Sequence, residues 1–432
     1  MRIHTPLTRL ITFISTAAVI AGCSGYQTPA QPEESVTVIN TTEAGYELVH
    51  NGEPYTILGV GGVDELAMLK EYGGNTIRTW DAEGIEPLMD EAHELGIAVV
   101  VGIWLEHARH GFDYTEPEAK AEQLARVERF VKQFRDHPAL LAWGVGNEVE
   151  LGGTMDQAIM QINDASALIK ELDPNHPTMA VIAEIGDDKA IRIQNECPNI
   201  DMIGINSYGG LGNLSKRVQN QGVTLPYAIT EFGPVGHWET GNTLWGAPYE
   251  QSSSDKAEFI KQNYEQTIQA NLGKQCLGSF AFLWGHKQEK TATWYGLLLP
   301  TGETTQSVDV LSELWTGQPV ENGAPHVKSI SIDGMAAGLT KGQPLRVSVD
   351  ATDPDGDPIT TQWELVSEST VVSAGGDKEE AISPVEIEIA EVDTTSATLT
   401  LPIEPGAYRI FVTVRDGQGH AGTANLPVYI AE

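Results

Sequence analysis

The chain has 432 residues, 41% of them apolar, with 9 Trp, 12 Tyr and 9 Phe. That is enough for one large core and a second smaller one, and it excludes both a disulfide-stapled miniature domain and a globally disordered chain. Sixty acidic side chains stand against 26 basic ones, a formal charge of −34, and such a field repels phosphate backbones, so nucleic acid is not an expected partner.

At the N-terminus, Arg2 and Arg9 precede a short apolar run, Leu10 to Ala21, which ends in Ala21-Gly22 before Cys23. The run is too short to span a bilayer and has the layout of an export signal. It resembles the bacterial lipoprotein signal. The resemblance implies that residues 1–22 are removed, that Cys23 is acylated, and that the protein is tied to the cell envelope as an outer-membrane lipoprotein, with residues 23–40 as a polar tether.

Beyond the tether, apolar segments alternate with longer amphipathic ones. Candidate strands are Tyr55–Val60, Asn75–Trp80, Ile97–Ile103, Leu141–Asn147, Thr178–Ala183, Met202–Tyr208, Tyr227–Glu231 and Ser279–Trp284. Helix-like stretches lie at Val63–Glu71, Ile85–Leu95, Pro117–Phe134, Met155–Glu171 and Asp255–Ala270. A continuous apolar strand such as Ile97–Ile103 needs helices on both faces of its sheet. Eight such units predict an α/β fold, a (β/α)8 TIM barrel over residues 41–320, with a doubly wound sheet as the competitor. Gly59-Val60-Gly61-Gly62 reads as a tight turn rather than a phosphate cradle, since no GxxxxGK[ST] pattern follows.

After residue 320 the rhythm changes. Residues 327–432 show short strands of period two between Gly, Asp and Pro turns, the pattern of a β-sandwich in which Trp363 is a core residue. Asp353-Pro354-Asp355-Gly356-Asp357 with Arg415-Asp416-Gly417 resembles the Ig-like and PKD-like modules of secreted bacterial enzymes. The same aspartates could hold a structural Ca2+ or simply form a hydrophilic turn. Cys276 is expected in the core, Cys197 has no paired His motif, and no Cys/His cluster suggests zinc.

Two strands end in carboxyls. Trp143-Gly144-Val145-Gly146-Asn147-Glu148 closes the fourth strand and Ala228-Ile229-Thr230-Glu231 the seventh, which places both at the C-terminal rim where barrel sites are built. This arrangement resembles the large clan of retaining (β/α)8 glycoside hydrolases. The resemblance implies Glu148 as acid/base and Glu231 as nucleophile, with no cofactor required. It also implies Asn147 as partner of the sugar 2-hydroxyl, Arg78 and Tyr208 beside the nucleophile, and Trp284 flooring the sugar subsite. His107 and His110, after strand three, are candidates for substrate contacts or a metal pair lacking a third ligand. His237 and Trp238 are loop candidates for sugar contacts, with Trp245 as a further platform.

The run Gly73-Gly74-Asn75-Thr76-Ile77-Arg78-Thr79-Trp80 and the GNEV of strand four are similar to the β-1,3-glucan branch of that clan. The expected partner is therefore a neutral polysaccharide or oligosaccharide and the expected activity hydrolysis of β-glucan, with β-1,3 as the expected linkage. The alternatives are a β-glucan transglycosylase, a hydrolase of another neutral β-glycan, and a non-catalytic carbohydrate-binding lipoprotein.

Overall fold

Buried apolar strands of near-identical length can satisfy their edges only by closing on one another. In the computed structural model, which describes residues 35–431 apart from 334–338, 372–375 and 377, they do so. Eight parallel strands form a closed barrel in chain order: Ile57–Gly61, Thr76–Arg78, Ala98–Ile103, Leu140–Val145, Thr178–Ala183, Met202–Asn206, Tyr227–Phe232 and Cys276–Phe282. Each overlaps one of the eight segments read from the sequence. They are called barrel strands one to eight below.

Alternate residues of these strands divide the core in two. Val100, Ala142, Met179, Val181, Ala228 and Phe280 fill the barrel interior, while Val99, Val101, Trp143, Ile182 and Ile229 face the surrounding helices. The helices Glu86–Leu95, Pro117–Phe134 and Met155–Leu172 match their amphipathic periods. The last opens with a capping box between Thr154 and Gln157. The apolar pattern of 255–270 divides into an α-helix, Ser253–Asn263, and a wider turn, Tyr264–Ile268. Four further helices, Leu66–Glu71, Lys189–Glu196, Leu214–Asn220 and Gln306–Thr316, complete the outer ring.

The polar stretch before the barrel is partly structured. Thr37–Thr41, Tyr46–His50 and Glu53–Tyr55 form a small antiparallel sheet. Its Leu48 joins the interior cluster of the barrel. Ser35 Oγ donates to the Leu140 carbonyl at 2.7 Å, so the end of the expected tether, residues 35–40, is structured and anchored to the barrel at Ser35. The export signal and Cys23 lie outside the described residues. Among the described residues, no helix is long and apolar enough to cross a membrane.

Residues 326–431 form two four-stranded sheets. One contains His326–Ile332, Pro344–Thr352, Ser396–Thr400 and Ile389–Ala390; the other contains Leu339–Thr340, Ala421–Ala431, Gly406–Arg415 and Thr360–Ser367. Trp363, Val347, Leu365, Ile410 and Val412 close the core between them. The sheets are fastened to the barrel by polar contacts. Arg409, 2% exposed, donates to the Pro248 carbonyl at 2.8 Å and to Glu368 at 3.0 Å. Thr423 N donates to Ser253 Oγ at 2.9 Å. Asp353 Oδ1 accepts the amides of Asp355 and Asp357, and Asp355 Oδ2 accepts the amide of Gly323. These carboxylates shape a turn, the second of the two readings of this segment. Among the described residues no group of three or more His, Cys, Asp or Glu side chains is placed to hold a metal.

Candidate active site

The carboxyl ends of the barrel strands open into a cleft of about 700 Å³. Glu231 and Glu148 both line it, together with Asn147, Tyr208, His110 and Trp238. Barrel strand seven delivers Glu231, 7% exposed. Its Oε1 accepts from Arg78 Nη1 at 3.1 Å and from Trp80 Nε1 at 2.9 Å, and its Oε2 accepts from the Tyr208 hydroxyl at 2.9 Å. All three contacts are donors, as an ionised, acceptor-only carboxylate requires. Burial and the charge of Glu231 raise the Tyr208 phenol well above its ordinary range, so its proton stays in place.

Barrel strand four ends differently. Gly146 turns the chain with φ +70°, and Glu148 itself takes φ +52°, an uncommon conformation for a residue with a side chain. This turn brings Asn147 Oδ1 to 2.7 Å from Arg78 Nη2. Glu148 Oε1 accepts from Asn206 Nδ2 at 2.8 Å, and the same nitrogen lies 3.2 Å from Asn147 Oδ1. Burial first, and then the negative charge of Glu231, push the Glu148 carboxyl up to about 7. The two carboxyls are thus differentiated by their surroundings. One is ringed by donors and a guanidinium, whereas the other keeps its proton near neutrality.

Arg78 ties the halves together. It is 1% exposed and donates to Glu231, to Asn147 and to the Thr230 carbonyl. Burying such a cation is tolerable because its charge is met at once by a carboxylate and two neutral acceptors.

Four sequence expectations do not reach the cleft: Trp284, His107, His237 and Trp245, the last of which lines a separate hollow. Barrel strand eight ends at Phe282, and the turn that follows sends Trp284, 1% exposed, into the layer between strands and helices. Phe282 and Leu283 line the cleft in its place. Phe282 meets Trp80 edge-on at 5.9 Å and Tyr208 at 6.0 Å. His107 is fully buried, stacked between Trp104 at 5.0 Å and His110 at 5.3 Å, and burial lowers its imidazole to about 4. It is a neutral packing residue. His237, 7% exposed, lies behind the cleft wall, where its Nε2 is 3.4 Å from Glu289. Cys197 and Cys276 are buried and free, and burial pushes both thiols up to about 12.

Two residues that the sequence reading did not assign to the site hold central positions. Trp80 and Asn206 each stand two residues from an assigned one, Arg78 and Tyr208 respectively. The alternation of side chains along a strand places i and i+2 on one face, and that signal was available. Trp104, Glu184 and Glu239 also line the cleft. Nothing in their local sequence distinguishes them from other polar or aromatic loop residues.

The family model described as glycosyl hydrolases family 2, TIM barrel domain, matches residues 71–276. Mannan endo-1,4-β-mannosidase F of Aspergillus clavatus is 38% identical over 64 residues, 15% of this chain and 15% of the relative. A β-galactosidase of an Arthrobacter species is 29% identical over 98 residues, 21% of this chain and 10% of the relative. Among solved structures, a putative β-galactosidase from Bacteroides fragilis superposes with a TM-score of 0.51 at 14% identity, covering 92% of this chain and 58% of that one. The chain thus spans less than two thirds of each of these proteins, and the structural likeness concerns the fold.

These findings correct the expected branch. The family model is not a β-1,3-glucanase model, and the matching relatives act on mannan or are named β-galactosidase, so the β-1,3-glucan reading of the NTIR and GNEV segments is overturned. The comparisons support neither the lipoprotein reading nor the Ig or PKD naming of the C-terminal sheets: the family match spans residues 71–276 and reaches neither segment.

Proposed function

We propose that the protein hydrolyses a neutral β-linked glycan of the mannan or galactan kind, by double displacement at Glu148 and Glu231. The observation that carries this reading is the contrast between the carboxyls: three donors converge on Glu231, while Glu148 is held up to about 7. The substrate class is supported by the mannosidase and the β-galactosidase to which the chain is similar.

Cleavage of a glycosidic C–O bond needs a proton for the leaving oxygen and negative charge at the anomeric carbon. Glu148 donates the proton as Glu231 attacks, giving a glycosyl ester on Glu231. Glu148, now ionised, then takes a proton from water, which attacks the same carbon and releases Glu231 with the configuration retained. The Tyr208 hydroxyl and Trp80 N–H hold the nucleophile's two oxygens. Arg78 fixes Asn147 through its Oδ1, which leaves the Asn147 amide nitrogen to donate to a sugar hydroxyl.

The test is turnover of p-nitrophenyl β-mannoside and β-galactoside, of galactomannan and of β-1,4-galactan, with the Glu231→Gln protein as control and the first-formed anomer read by NMR. Retained anomeric product, absent in the control, is expected. Cleavage of laminarin or of a uronide in preference to all four would overturn the substrate class, and inverted product would overturn the double displacement.

A further inference from the structure

Beside the cleft lies a second hollow of about 500 Å³, between the loop that follows barrel strand seven and the C-terminal sheets. The barrel loop contributes Asn242 and Trp245, and the end of the strand Thr360–Ser367 with the next residues contributes Ser367, Ser369 and Thr370. The hollow adjoins the cleft along two chain segments. His237 lines the hollow while Trp238 lines the cleft, with their rings 4.9 Å apart, and Lys290 lines the hollow while Glu289 lines the cleft.

The chemistry of this surface is distinctive. Trp245 is 36% exposed and its ring lies 5.7 Å from that of Tyr429, itself 49% exposed, so an indole in contact with solvent is supported from the C-terminal sheet. The flanking groups are an amide and three hydroxyls. The charges at the hollow are already engaged: Glu368 is paired with Arg409 at 3.0 Å and Lys290 Nζ donates to the Val371 carbonyl. The loop is also fixed in advance. Thr243 N donates to the Ala247 carbonyl at 2.8 Å, and Arg409 holds the Pro248 carbonyl at 2.8 Å. A rigid flat aromatic face rimmed by neutral hydroxyl and amide groups matches a pyranose ring, which has an apolar C–H face and an edge of hydroxyls.

We propose that this hollow is a distal subsite that holds a further sugar of the same neutral glycan chain whose scissile bond lies in the cleft. The inference rests on the glycosidase reading for the identity of the chain. It gives the C-terminal sheets a part in substrate binding, since Ser367, Ser369 and Thr370 come from them.

The experiment has two arms, each run on the full chain with Trp245→Ala and with Asn242→Ala. In the kinetic arm, KM for whichever of galactomannan or β-1,4-galactan is cleaved should rise roughly 2- to 12-fold in Trp245→Ala, the range expected for one lost aromatic contact. The constants for the p-nitrophenyl monosaccharide, too short to reach the hollow, should stay within about twofold, which also reports that the variant is folded. In the binding arm, migration of the Glu231→Gln protein through gels containing each polysaccharide should be retarded, and adding Trp245→Ala or Asn242→Ala should reduce the retardation. Unchanged polymer KM and unchanged retardation in both variants would overturn the subsite. If the wild type cleaves nothing, the glycosidase reading fails while the binding arm still decides the subsite: retardation that depends on Trp245 supports it, and absence of retardation refutes it.

Discussion

Asn206 Nδ2 stands 2.8 Å from Glu148 Oε1, and because an amide N–H can only donate, that oxygen accepts and Oε2 is left free of this donor. The orientation of Asn206 is itself fixed, since its Oδ1 accepts from Thr230 Oγ1 at 2.7 Å. This bond lowers the Glu148 carboxyl against the larger upward push of burial and of Glu231. Replacing Asn206 with Ala should therefore move the alkaline limb of the kcat/KM profile to higher pH. A residue that only packs would reduce the rate and leave the limb where it was.

In the unaltered protein the same carboxyl sets the alkaline limb. Glu148 donates its proton when protonated, so on the alkaline side activity should fall as pH rises through about 7. In Glu231→Gln the neighbouring charge is gone, and the Glu148 carboxyl should titrate lower, as followed by carbon-13 NMR of the labelled side chain. An unchanged titration would show that burial alone raises it.

Removing the acid should depend on the leaving group. Glu148→Ala should slow turnover of a natural glycoside by roughly 10²- to 10⁴-fold. Formation of the glycosyl-enzyme from a dinitrophenyl glycoside, whose leaving group needs no proton, should be nearly unaffected in a pre-steady-state burst. A comparable loss on both would assign the proton to another group.

Trp80 offers its indole N–H to Glu231 Oε1 at 2.9 Å. A hydrogen bond to a charged group contributes about 1.5–3 kcal/mol. Trp80→Phe should accordingly reduce kcat/KM roughly 10- to 100-fold, with unchanged folding by circular dichroism. A loss confined to thermal stability would reassign Trp80 to packing.

His107 couples the site to stability. Its imidazole is lowered to about 4 by burial, so between the ordinary histidine value near 6.5 and that lowered value the unfolded chain binds a proton that the folded one does not. Stability should be full above about 6.5 and decline as pH falls through this window. His107→Phe should flatten the decline in urea titrations. If the slope persists, other groups carry it; His50, also lowered to about 4 by burial, is the first to replace.

At the junction with the C-terminal sheets, Arg409 is the cation for buried Glu368. Arg409→Met should destabilise the protein by about 3–5 kcal/mol, since it leaves a carboxylate without its partner. A change under about 1 kcal/mol in urea unfolding would mean that water reaches the pair.

Much of this protein is written locally. Strand-length apolar runs between amphipathic segments are enough to specify eight βα units, because each run must bury both faces, and carboxyls at the ends of the fourth and seventh runs fall on the rim wherever such a barrel closes. Glu148 and Glu231 could be placed on the rim for that reason, whereas the places of Arg78 and Asn147 came from the family resemblance. What the sequence could not decide was the direction each loop takes after its strand. Trp284 turns inward and Phe282 and Leu283 take the cleft, His107 and His237 go behind its wall, and Asn206 and Trp80 become partners of the carboxyls. These outcomes depend on contacts between residues more than 50 positions apart, such as Asn206 with Glu148 and Trp80 with Glu231, and no local period encodes them. The same holds for the C-terminal sheets: alternation predicts their strands, but only the packed chain brings Ser367 and Tyr429 beside Trp245.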